Sequence, residues 1–174
     1  MRKALLLILL LLLILSACSE KGSNMFYGDN NEEIADQTFT EIIAAVSTQD
    51  VTRVIELFSC SVKSQMDLSQ SAAEFVTYFD GDIISFSAAV DAGVGADYRT
   101  ENGQVRKDIQ SAFRITTNKN SYYIAIKECI RDEFDSNNVG ILSIYAIEAS
   151  NWTENYVYRG DGKWTGGIHI AHVG

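Results

Sequence analysis

The feature that most constrains this chain is a change of hydrophobic period at Gly81. Before it, apolar residues recur at the three-to-four spacing that lines one side of a helix; after it they alternate, as on a half-buried strand. One pattern cannot be accommodated by the other element, so helices must come first and strands second.

In the first half, Ala35, Phe39, Ile42 and Val46 mark a helix over residues 32–46, with Asp29, Asn30 and Asn31 available to cap it. Asp50 caps a second, expected to run unbroken to about residue 63 with Val51, Val54, Ile55, Phe58 and Val62 on one side. A third begins near Ser69, carries Ala72, Phe75, Val76 and Phe79, and ends at Gly81.

In the second half, Ile84, Phe86, Ala88 and Val90 alternate in a first strand that Gly93 and Gly95 interrupt. Asn102-Gly103 is the dipeptide favoured in a two-residue hairpin. Residues 106–117 place Ile109, Ser111, Phe113 and Ile115 on one face, and Asn118-Lys119-Asn120 turns the chain into a strand over 121–131. A polar loop, 132–138, leads to residues 139–149, which are apolar on both faces and read as a central strand. A last hairpin is expected from 152–158 and 164–171, joined at Gly160-Asp161-Gly162. Helices segregated ahead of hairpins predict one α+β domain, its N-terminal helices packed on an antiparallel sheet whose strands neighbour one another in chain order.

The N-terminus is of another kind. Met1, Arg2 and Lys3 precede an apolar run over residues 4–15, too short to span a bilayer, and Leu15-Ser16-Ala17-Cys18 follows. That order resembles the signal peptide and lipobox of bacterial lipoproteins. It implies removal of residues 1–17 and a diacylglyceryl lipid on Cys18, two acyl chains being enough for stable anchoring at the outer face of the cell membrane. Residues 18–30, rich in Ser, Gly, Asn and charge, read as a tether, and 31–174 as the single domain. Cleavage takes away Arg2 and Lys3 and no acid, so the formal charge moves from −9 to −11. Few, scattered basic residues argue against nucleic acid as a partner, and the acidity against adhesion to anionic headgroups.

Besides Cys18 the chain has Cys60 and Cys129. An extracytoplasmic address permits a disulfide, but in an unbroken second helix Cys60 points away from the apolar side. Cys129 likewise alternates with Tyr123, Ala125 and Lys127, opposite Ile124, Ile126 and Ile130. Two unpaired, partly covered thiols are therefore expected.

Leu57-Phe58-Ser59, Phe79-Asp80-Gly81-Asp82-Ile83 and Gly166-Gly167-Ile168 resemble segments of an uncharacterised family of small bacterial lipoproteins with a nuclear transport factor 2-like, ketosteroid-isomerase-like domain. The resemblance covers residues 32–174. It implies a cone in which a curved antiparallel sheet wraps the helices around a cavity, and it brings no catalytic residue with it. Tyr78, Tyr98, Trp152, Tyr156 and Trp164 are the candidates to line that cavity, and Asp80, Asp82 and Asp97 the acids nearest its edges.

Other chemistry is sparse. His169 and His172 are the only histidines, and a spacing of three on a strand sends them to opposite faces. No metal or other cofactor is expected. Asp132, Asp135 and Asn137 lack the spacing and central glycine of an EF-hand. Arg159-Gly160-Asp161 reads as a tight turn, Asn151-Trp152-Thr153 has no meaning as a sequon in a bacterial lipoprotein, and Gly93 with Gly95 falls short of a dinucleotide loop. The expectation is a membrane-anchored domain, not an enzyme, that binds a small molecule or an envelope protein. The alternative is a cone-fold isomerase or hydratase using a cavity carboxylate. The two separate on one feature: an interior Asp or Glu among apolar neighbours favours the enzyme. A third role is assembly, with a homodimer formed through the sheet face.

Overall fold

The structure, a computed structural model, describes residues 30–89, 93–151 and 163–171. Four helices, α1 (Asn31–Ser47), α2 (Val51–Glu56), α3 (Cys60–Gln65) and α4 (Ser69–Thr77), precede the strands β1 (Ile83–Ala88), β2 (Gly95–Glu101), β3 (Gln104–Thr117), β4 (Ser121–Asp132), β5 (Gly140–Glu148) and β6 (Gly167–Ile170). The class is α+β, with helices followed by a curved mixed sheet of six strands.

The expected second helix is two helices, because tertiary pairing interrupts it. The Ser59 N–H donates to the Ile141 carbonyl and the Ile141 N–H to that of Leu57, both at 3.0 Å, bridging the α2–α3 junction to the start of β5. Gly140 permits the approach: its φ is +123°, and a Cβ there would lie 2.9 Å from the Ser59 nitrogen. Each short helix keeps its own cap, Asp50 accepting from the Arg53 N–H at 3.0 Å and Ser59 from the Val62 N–H at 3.2 Å.

β3, β4 and β5 are antiparallel neighbours in chain order. Two expectations for the rest of the sheet are corrected. β1 and β2 do not pair with each other; both lie antiparallel on the same edge of β3, β1 along residues 113–117 and β2 along 104–110. β6 runs parallel to β5, so the sheet is mixed, not antiparallel. The expected strand 152–158 and its turn lie outside the described residues.

The helices cover one face, here called inner. Phe39 of α1 stacks on Phe113 of β3 with ring centres 3.9 Å apart, and Phe75, Phe79 and Tyr122 form an edge-to-face cluster at 5.1–5.4 Å. Ile42, Val54, Phe58, Ile109, Ile115, Ile124, Ile126 and Ile144 complete a core with almost no exposure. Aromatic and isoleucine side chains thus pack together between the helices and the inner face of the sheet.

Candidate functional site

The inner face of β4 reads Tyr122, Ile124, Ile126 and then Glu128, so one carboxylate occupies a core position. Its cross-strand partners are Ile109 on β3 and Ile141 on β5, both fully buried. A register shift against β5 between Lys127 and Glu128 brings Ile141, rather than Leu142, beside it. Thr38 of α1 closes the site, its hydroxyl donating to Glu128 Oε2 at 2.8 Å. Glu128 Oε1 is buried and has no hydrogen-bond partner among the described residues. Burial raises the carboxyl to about 7; the Thr38 hydrogen bond opposes the rise and the like charge of Glu41 adds to it. A carboxyl so placed can take up and release a proton near neutrality.

The outer face carries a second polar group. Asp108 and Arg106 form a two-pronged ion pair at 2.9 and 3.1 Å, Lys127 reaches Asp108 at 3.6 Å, and Arg106 reaches Asp132 at 3.3 Å. Burial acts to raise Asp132, but hydrogen bonds from Asn138 and the Asp135 and Phe134 N–H groups, with the Arg106 charge, outweigh it and hold the carboxyl below its usual range. Cys129 lies beside Asp108; burial first, and then that carboxylate, push its thiol up to about 12, where it is a poor nucleophile. Among the described residues no disulfide joins it to Cys60.

Of the residues expected to line one cavity, the three that are described, Tyr78, Tyr98 and Trp164, lie apart. Tyr78 is half-buried against Phe79 and Tyr122 on the inner side, at 5.5 and 5.3 Å. Trp164 packs 5.6 Å from Tyr145, a β5 residue paired with Ala125 on the outer face. Tyr98 is exposed on β2 with the Lys107 ammonium 5.2 Å over its ring. Cys18, Trp152, Tyr156, Arg159, Asp161 and His172 lie outside the described residues. The three edge acids are at the surface: Asp80 pairs with Lys119 at 2.7 Å, Asp82 accepts from Asn118 at 3.3 Å and Asp97 from Gln110 at 2.7 Å. The interior acid is Glu128 instead. Its signal stood in the sequence, as the one charge in the alternation Ile124, Ile126, Ile130.

His169 stacks on Tyr145 with ring centres 4.6 Å apart, its Nε2 2.9 Å from the Thr165 carbonyl oxygen. In the 132–138 loop, Asp132 and Asp135 accept from N–H groups of the loop itself. Among the described residues no three His, Cys, Asp or Glu side chains are grouped to hold a metal ion, and no helix is long and apolar enough to cross a membrane. An open cleft of about 520 Å³ lies at the α3–α4 junction, lined by Ile55, Lys63, Met66 and Leu68.

Comparison with curated proteins finds no match. A family model described as a domain of unknown function, DUF5104, matches residues 41–149, from the middle of α1 through β5 and so including Glu128 and the Arg106–Asp108 pair. With more than half its length matched, the chain belongs to this DUF5104 family.

Proposed function

We propose that this is a lipid-anchored extracytoplasmic protein whose domain, a variant of the nuclear transport factor 2-like cone, binds an envelope protein or small ligand at its surface and is not an enzyme. The address rests on Leu15-Ser16-Ala17-Cys18 behind a basic, apolar leader. The observation that carries the binding role is the packing of the inner side: Phe39, Phe113, Phe75, Phe79 and Tyr122 stack against one another on the inner face of the sheet, which favours recognition at the outside. Ile84, Phe86 and Tyr98, exposed along the β1–β2 edge, supply apolar surface there.

Glu128 favours a second reading, the cone-fold isomerase or hydratase, since it is an interior acid among apolar neighbours. Against it, Ile109 and Ile141 flank the carboxyl where a substrate would have to lie.

Intact mass of the protein extracted from producing membranes tests the address. A chain beginning at Cys18 with a diacylglyceryl increment is expected, and Cys18→Ala should remove the increment and release the protein. Crosslinking on intact cells then tests the binding role: a partner lost on Phe86→Ser supports it, whereas a catalytic activity abolished by Glu128→Gln would replace it with the enzyme.

A further inference from the structure

The neighbours of Glu128 set up a conflict that only a proton resolves. From β3 and β5 it faces Ile109 and Ile141, and along β4 Ile126 and Ile130; from α1 it faces Thr38, and the charged group acting on it is Glu41, also on α1. Thr38 supplies one hydrogen bond, to Oε2. An ionised carboxylate would leave a charged Oε1 buried without a donor, whereas the neutral carboxyl leaves only a weak acceptor or an O–H that the Thr38 oxygen can accept.

We propose that Glu128 is a proton-operated latch on α1: protonated, it lets α1 seat on β4 through Thr38, and ionised, it loosens that seat, so that α1 lifts from the sheet and admits water to the carboxylate more often. This goes beyond the proposed function and does not depend on the lipid anchor. The direction follows from linkage. The folded carboxyl, near 7, holds its proton above the ordinary 4.5, so the seated state gains on acidification and loses as pH rises through that window.

Hydrogen–deuterium exchange of the whole protein, corrected for intrinsic rates, tests the latch. Between pH 5 and pH 8 the opening constant for α1 amides should rise on the order of fifty-fold, as the linkage of one such carboxyl requires. Amides at the centres of β3 and β4, which open only with the whole fold, should have far smaller opening constants than those of α1 at both pH values. In Glu128→Gln the α1 rise should vanish. A flat wild-type profile overturns the proposal, as does a rise that persists in Glu128→Gln or an α1 opening constant no larger than that of the β3 and β4 centres. Thr38→Val keeps the test decisive if Glu128→Gln does not fold. Losing the donor to the ionised form should move the midpoint of the α1 transition upward, and an unmoved midpoint overturns the assignment to Glu128.

Discussion

Asp108 and Glu128 lie on opposite faces of the same strand pair, at 8% and 6% exposure, and the fold treats them in opposite ways. Asp108 meets Arg106 in a two-pronged pair with Lys127 beside it. Glu128 meets two isoleucines, one threonine hydroxyl and a like charge. Equal withdrawal from water therefore leaves the two carboxylates in different company. The outer strand positions bring long cationic side chains within reach of Asp108; the inner ones bring branched aliphatics that pack well and neutralise nothing.

The largest test removes the unpaired charge. Glu128→Leu should stabilise the protein at pH 8, and by roughly 2 to 3 kcal/mol more there than at pH 5, because a carboxyl moved from 4.5 to about 7 strains the fold only once it ionises. Urea midpoints at the two pH values measure this, and an equal effect at both would erase the contrast between the faces. Arg106→Met should do the reverse, costing about 2 kcal/mol at neutral pH by stranding Asp108 and Asp132; the value sits below that of a fully buried pair because Arg106 keeps 29% exposure. That cost should fade in acid: Asp132 is held below its ordinary 3.8, so its share of stability is present above that value and is lost as pH falls through the depressed one. With Glu128 losing stability on the alkaline side, the wild type should be most stable near pH 5, and a maximum above pH 7 would contradict the assignment.

A smaller effect sharpens the inner site. Thr38→Val should cost about 1 kcal/mol at pH 8 and less at pH 5, since its hydroxyl matters more to an ionised acceptor. Smallest of all, Lys119→Ala should leave the urea midpoint unchanged, because the Lys119–Asp80 pair is more than half exposed at both ends. A measurable loss there would mean that the distinction between buried and surface pairs has been drawn too sharply.

Much of the inner site was legible in advance. The alternation that places Ile124 and Ile126 inward also places Glu128 inward; what sequence could not supply was Thr38, ninety residues earlier, as its hydrogen-bond donor. Asp80 and Asp82, in the turn before β1, and Asp97, inside β2, are exposed, the usual state of a carboxylate. Residue type marks Tyr78 and Trp164 alike, but the structure sets them on opposite faces of the sheet.

By itself the sequence determined what depends on neighbours along the chain. The period change at Gly81 located the passage from helix to strand, and Gly81 takes φ +91° against Asn118. Asn102-Gly103 set a hairpin with φ of +51° and +81°, and Asp50 capped a helix. Only the tertiary structure decided that Leu57–Ser59 would leave a helix to bridge Ile141, that β1 and β2 would share one edge of β3, and that β6 would join in parallel. Backbone sterics and caps act over a few residues and are written in local residue types. Strand partnership and the isolation of Glu128 depend on which distant segments come together, and those segments are chosen by the packing of the whole core.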